Sequence, residues 1–279
     1  MERINTTIFN ENALEHLHRY ALVRDLVKEK IVLDIASGEG YGSNLLAKTA
    51  SQVFGVDICE ETINNAKGRY IAGNLKFAQG DITSIPFQAD TFDVIICFET
   101  IEHVSNQDEV MRELKRVLKN DGVLVISTPE KKKYSDDKNF KNPYHLKEFY
   151  EQEFKDFIKK YFKNANFLHQ YMTYGSCIHY ENKVEVNEII SGNYSSVQKK
   201  NNSNPLYILA ICSELDCPKL DSGIFNYDQI NSDILMYLAM KNMEEEYVLL
   251  KKNSKTYKFI KILTSIKALL FGLGNRTKL

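Results

Sequence analysis

The sequence predicts an α/β fold, a mostly parallel sheet with helices on both faces. Two observations predict it. Short apolar runs alternate with stretches of helical periodicity over roughly the first half of the chain, and a glycine-rich turn, GEGYG, follows the first of those runs. Size is a third: 279 residues, 43% apolar and 26% charged, supply the material for a substantial core.

The elements follow in order. Residues 11–30 form an amphipathic helix with Leu14, Leu17, Ala21, Leu22 and Leu26 along one side. IVLDIA (31–36) is the first strand, and GSNLLAKTA is the helix after the glycine turn. QVFGVD (52–57), LKFAQGD (75–81) and TFDVIICFE (91–99) are the next three strands, with a helix from CEETINNAKGRY after the first of them. Ser105 is the expected N-cap of the helix SNQDEVMRELKRVLKNDG, whose apolar stripe is Val110, Leu114, Val117 and Leu118. Gly122 stops it, and VLVIST (123–128) is the fifth strand.

Beyond Pro129 the rhythm loosens. Residues 130–149 make a polar loop of a length that marks functional or disordered segments. A helix over 147–162 and strands at 165–174 and 206–213 come next. The stretch 180–204 is poor in apolar residues and is expected to be a mobile insertion. Residues 1–215 thus form the main domain, and 216–279 a helical, basic extension. After Glu246 the chain has no acid, while Lys251, Lys252, Lys255, Lys258, Lys261 and Lys267 alternate with an apolar stripe. That pattern suits an interfacial helix against anionic lipid, the chain's own core or a partner.

Composition narrows the function classes. A formal net charge of -1 gives no global attraction to nucleic acid, and DNA is not an expected partner. Five cysteines without a CxxC pair argue against a disulfide framework and a zinc knuckle, and suit a reducing cytoplasm. The N-terminal residues show no signal-peptide core, and no run reaches the ~20 apolar residues of a membrane span.

The glycine turn sits where an open parallel sheet binds ligands, beyond the carboxyl end of its first strand. Gly38, Gly40 and Gly42 allow a close approach of backbone to ligand. Asp57 ends the second strand, at the place where a carboxylate accepts both hydroxyls of a ribose. Asp34 lies immediately before the turn, where it repels a pyrophosphate and attracts a cation. Asp81 follows the third strand and suits an exocyclic purine amine. A ligand with ammonium, ribose and adenine but no phosphate fits this pattern better than a nicotinamide dinucleotide does.

Motif by motif, VLDIASGEGYG, VFGVD, GDITSIPFQADTFDVIICFETIEHV and ELKRVLKNDGVLVISTP resemble the class I S-adenosylmethionine-dependent methyltransferases over roughly residues 15–175. The resemblance implies a Rossmann-like sheet of seven strands, the last antiparallel. It implies that Asp34, Ala36, Ser37, Gly38 and Gly40 surround the methionine part of the cofactor, with Asp57 on the ribose. Ile58, Asp81 and Ile82 then take the adenine, and Phe98 borders the sulfonium. Ala36-Ser37 replaces the commoner Gly-Cys pair. HLHRY (16–20) is similar to the family's N-terminal lid helix, which implies contact of Arg19 or Tyr20 with the cofactor carboxylate.

The polar cluster after the fourth strand has its own chemistry. Glu99, Glu102 and His103 are spaced i, i+3, i+4, which on a helix is one face. Methyl transfer to oxygen requires loss of a proton, a task for a histidine such as His103. His145, in the long loop, folds back opposite His103 on this reading. Glu99, Glu102, His103 and His145 would then hold a divalent cation, Mg²⁺ or Mn²⁺, that acidifies an acceptor hydroxyl; His103 alone as base is the other reading.

The E-x-x-E-H…H arrangement resembles the metal site of small-RNA 2′-O-methyltransferases. With ISTP and NPYHLKEF it is equally similar to bacterial methyltransferases of surface glycans. The second resemblance implies O-methylation of a sugar hydroxyl in a glycan or lipid-linked saccharide, in polysaccharide biosynthesis at the inner membrane face. RNA 2′-O-methylation and quinone-type O-methylation are the alternatives, and a non-catalytic cofactor-binding module is a fourth.

Overall fold

The computed structural model describes residues 11–172, 176–181, 189–193, 196–200, 205–225 and Met240. The chain divides into two compact units, Met1–Phe225 and Asn226–Leu279. The helical tail expected after 225 lies outside the described residues, Met240 excepted.

Helix α1 (Glu11–Val23) precedes strand β1 (Ile31–Ile35), helix α2 (Tyr41–Leu46), strand β2 (Gln52–Asp57), helix α3 (Glu60–Arg69) and strand β3 (Leu75–Gln79). Strand β4 (Phe92–Cys97), a 3₁₀ turn at Ile101–His103, helix α4 (Gln107–Val117) and strand β5 (Leu118–Pro129) follow. A short helix α5 (Lys131–Tyr134) leads to α6 (Glu151–Lys159), β6 (Asn164–Met172) and β7 (Ser176–Tyr180). A separate two-stranded ribbon of β8 (Ile189–Asn193) and β9 (Ser196–Lys200) precedes β10 (Tyr207–Ser213) and β11 (Gly223–Phe225).

The main sheet has the order β11-β7-β6-β10-β5-β4-β1-β2-β3. β1 to β5 pair in parallel, whereas β10 runs antiparallel to both β5 and β6. The seven strands from β6 to the β3 edge are the expected mostly parallel sheet with its last strand, β10, reversed. β7 and then β11 extend the β6 side with two antiparallel strands that the sequence does not announce; 216–225, which holds β11, lacks a β-branched run. These residues belong to the first unit rather than to the extension. The 180–204 stretch contains the β8–β9 ribbon, although composition predicts irregular chain there.

Alternation along each strand sends side chains to opposite faces. Leu33, Ile35, Ile95, Cys97, Ile208 and Ala210 meet α4 and α6 through Val110, Leu114, Phe154 and Ile158. Val32, Val94, Ile96, Leu209 and Ile211 meet the other helical layer through Val23, Leu46, Ile63 and Ala66. Asp34 shares the parity of Val32 and so enters an apolar layer. Tyr20 Oη (3.1 Å) and Ser43 Oγ (2.5 Å) donate to its two oxygens.

Burial pushes the Asp34 carboxyl up to about 6, against the opposing hydrogen bonds from Ser43 and Tyr20. A folded pKa above the usual carboxylate value means that the folded chain holds this proton more tightly than the unfolded one. The associated stability is fully present below about pH 4 and is lost as pH rises through about 6, on the order of 3 kcal/mol. Asp34→Asn is expected to flatten the pH dependence of urea denaturation over that interval.

α1 ends at Val23, earlier than the predicted residue 30, and docks through Tyr20 against Gly42. A Cβ on Gly42 would fall 2.0 Å from Tyr20 Cζ. Gly42→Ala is therefore expected to lose about 1–3 kcal/mol in thermal or urea denaturation.

Candidate active site

The carboxyl ends of β1, β2, β3 and β4 open into a cavity of about 470 Å³. Ala36, Ser37, Gly38, Asp57, Ile58, Asp81, Ile82, Phe98, Glu99 and His103 all line it, as expected from the sequence. His16 and Tyr41 line it too, linked by Tyr41 Oη and His16 Nδ1 at 3.1 Å. Neither was singled out, although His16, Arg19 and Tyr20 fall i, i+3, i+4 on α1, a spacing that could have pointed to His16.

The glycine turn is built around Asp57. Its Oδ2 accepts from the Gly38 N–H at 3.0 Å and its Oδ1 from the Cys59 N–H at 2.9 Å. Gly38 has φ +53°, and a Cβ placed there meets nothing within 4 Å, so the cavity side of the turn is open. Ala36 has φ +60°, a conformation glycine adopts freely, so the alanine costs some strain. The buried Ser37 hydroxyl has no hydrogen-bond partner among the described residues. Asp81 Oδ1 accepts from the Thr83 amide and hydroxyl at 2.8 and 2.7 Å. An orphaned hydroxyl, an uncovered glycine and a carboxylate at each of two strand ends fit an adenosine ligand.

Three expected cofactor contacts stand behind the cavity wall instead. Asp34 is occupied by Tyr20 and Ser43. Gly40 serves packing: a Cβ on it would meet Phe77 at 2.7 Å and Ala66 at 2.9 Å. Arg19 is fully buried, its Nη1 donates to Gln170 Oε1 at 2.7 Å, and its guanidinium lies 4.7 Å from the Tyr207 ring centre. Its Nε and Nη2 have no partner among the described residues. Arg19 Nη1 also approaches Glu99 Oε1 at 3.8 Å.

The polar cluster differs from a helical face. Glu99 has φ +48°, and the 3₁₀ turn starts only at Ile101, so Glu99 is not on the same helical face as Glu102 and His103. Its carboxylate accepts from Ser127 Oγ at 2.6 Å, on the Arg19 side. The α4 cap also differs: Asn106, not Ser105, accepts from the Glu109 amide.

Glu102, His103 and His145 do come together, each offering a ligand atom within 4.8 Å of the others. The loop 139–147 folds back as predicted, because the Leu146 and Lys147 amides donate to Glu102 O at 2.8 and 3.1 Å. The two imidazoles meet edge to face with centroids 4.8 Å apart.

Hydrogen bonding fixes their roles. The Tyr144 carbonyl can only accept, so His103 Nδ1 carries the proton, at 2.9 Å. His145 Nδ1 lies 2.5 Å from Glu148 Oε1, and the Asn142 amide reaches Nε2 at 3.0 Å. With Nδ1 as the donor in each ring, Nε2 is the lone-pair nitrogen of both; at His145 it accepts from the Asn142 amide, which would have to give way to a cation. His103 Nε2 lies 3.8 Å from Glu102 Oε1. Burial, and then the Glu99 charge, push the Glu102 carboxyl well above its ordinary value. A buried carboxylate beside two basic nitrogens, each oriented from its far side, is a donor set that suits Mg²⁺ or Mn²⁺.

The fold and this cavity define the class I S-adenosylmethionine-dependent methyltransferases. A methyltransferase domain family model matches residues 26–170, more than half of the chain, and the chain belongs to that family. Among curated proteins it is 35% identical over 118 residues to the "Probable S-adenosylmethionine-dependent methyltransferase Rv3030" of Mycobacterium tuberculosis, 42% of each chain. It is 33% identical over 106 residues, 36% of this chain, to a "Ubiquinone biosynthesis O-methyltransferase" of Glaesserella parasuis. The chain spans less than half the length of these relatives, 42% and 45%. Solved structures share the fold: a Thermotoga maritima S-adenosylmethionine-dependent methyltransferase superposes with TM-score 0.52 at 18% identity, over 72% of this chain and 89% of that one. Bacillus subtilis YcgJ does so with TM-score 0.50 at 19% identity, over 72% and 100%.

Proposed function

We propose that the protein is an enzyme that methylates a sugar hydroxyl in a glycan or lipid-linked saccharide, with Glu102, His103 and His145 holding a divalent cation beside the acceptor. The observation that carries the site is the pair of imidazoles whose Nδ1 atoms are tied to Tyr144 O and Glu148, which makes Nε2 the lone-pair nitrogen of each ring, engaged at His145 by the Asn142 amide that a cation would displace. The sugar assignment is supported by the ISTP and NPYHLKEF segments, and the near-neutral charge speaks against RNA.

S-adenosylmethionine, when bound, supplies an electrophilic methyl carbon on a sulfonium, and a cation at the cluster would supply positive charge that acidifies the acceptor. The chain does the rest. Asp57 holds the ribose side and Ser37–Gly38 the methionine side of the cavity. Phe98 borders the sulfonium side of the cavity, and Ile58 and Ile82 the adenine side. His103, which lines the cavity, would give its Nε2 lone pair to the cation, so the acidified acceptor would release its proton to water rather than to this imidazole. Glu99 is not among the clustered ligand atoms, so in this proposal it holds Ser127 and Arg19 in place and is not a ligand.

Quinone-type methylation is the second reading, favoured by the relatives named for ubiquinone biosynthesis. Labelled cofactor offered to lipid-linked saccharides, nucleotide sugars and hydroxylated quinones separates the two. A methylated sugar supports the first reading, and label confined to the phenolic oxygen of a quinone overturns it.

A further inference from the structure

The segment between β5 and α6 displays a surface that methyl transfer does not require. Of the large hydrophobic side chains exposed among the described residues, Phe140, Tyr144, Leu146 and Tyr150 fall within one short loop. Phe140 is 50% exposed and Leu146 63%. The loop is nevertheless tied down: Phe140 N donates to Ser135 O at 3.0 Å, and the Leu146 amide is held by Glu102 O. An ordered loop that presents apolar side chains to water has a surface suited to a partner.

Charge says which partner. Lys132, Lys138, Lys141 and Lys147 are exposed around those side chains, and no ion pair to them is found among the described residues. The acids of the same segment are turned to other uses. Asp137 faces Lys133 at 3.6 Å, Asp136 accepts from Tyr150 Oη at 2.9 Å, Glu148 holds His145, and Glu130 accepts from the Lys133 amide that opens α5. The outward charge is therefore positive. The chain's own C-terminal stretch carries the same sign and is a poor complement. Lysines interleaved with exposed Phe, Tyr and Leu match the boundary between anionic headgroups and acyl chains. Leu146 also lines the cavity, so this surface lies at its entrance.

We propose that residues 131–150 form a membrane-docking surface for bilayers with anionic headgroups, so that a lipid-borne acceptor enters the cavity from the bilayer. The docking does not depend on which hydroxyl is methylated. The full-length protein is sedimented with phosphatidylcholine vesicles with and without phosphatidylglycerol, and S-adenosylmethionine affinity is measured on the same preparations. The wild type is expected to pellet with the anionic vesicles only, and less so at high salt. Lys138→Glu/Lys141→Glu should reduce the partition coefficient by about fivefold or more per lysine. Phe140→Asp should reduce it as well, and all variants should keep cofactor affinity, which certifies the fold. Equal pelleting of wild type and both variants overturns the proposal. So does complete competition by soluble glycerol phosphate, which would mark a simple phosphate site.

Discussion

Asp57→Ala is expected to lower S-adenosylmethionine affinity about a hundredfold or more in titration calorimetry. The carboxylate ties the glycine turn to the β2 terminus from both sides, through the Gly38 and Cys59 amides at 3.0 and 2.9 Å. Hydrogen bonds to a charged group contribute about 1.5–3 kcal/mol each, so two of them alone account for a factor of this size. The ribose contact adds to it. The Ser37 amide also bonds Val56 O at 2.9 Å, but Gly38, at φ +53°, has no neighbour on its Cβ side. Unchanged affinity in a folded Asp57→Ala protein would remove the cofactor assignment to this cavity.

The second large effect concerns the cluster at the acceptor side. Mn²⁺ titration followed by electron paramagnetic resonance is expected to show one site, which His145→Ala weakens by about a hundredfold or more. Glu148→Gln keeps the ligand but removes the carboxylate that orients it, and should cost about 10–100-fold. The order of the two effects matters. If Glu148→Gln binds Mn²⁺ as the wild type does while His145→Ala does not, the hydrogen bond at His145 Nδ1 has no part in ligation. If both bind as the wild type does, the cation lies elsewhere or is absent.

β1 and β4 were legible because each is a short apolar run with buried side chains on both faces, whereas β5 begins at Leu118, inside the stretch LKNDG expected to end the preceding helix. The cavity was legible for a related reason: Ala36 to Gly38, Asp57 and Asp81 each follow a strand directly, so strand order places them. Residues reached through tertiary packing were not. Arg19 was expected at the cofactor, yet its partners Gln170 and Tyr207 come from strands more than 150 positions away. Gly40 looked like a ligand glycine, but Phe77 on the third strand needs its missing side chain. Glu99 was assigned to a helical face by spacing alone. Its positive φ breaks that periodicity, and no pattern in FETIEH announces a left-handed residue. His145 was expected opposite His103 from a loop that folds back, and the two rings do meet, the loop being held by the Glu102 carbonyl.

The central claim is methyl transfer to an oxygen whose proton is lost at the Glu102, His103 and His145 cluster. Its most direct test is transfer of labelled methyl from S-adenosylmethionine to a lipid-linked saccharide, with and without excess chelator. The account predicts a methyl ether on a sugar hydroxyl, formed at a rate that collapses in chelator and returns with Mg²⁺ or Mn²⁺. Full turnover in chelator, or label on nitrogen or carbon, would contradict it.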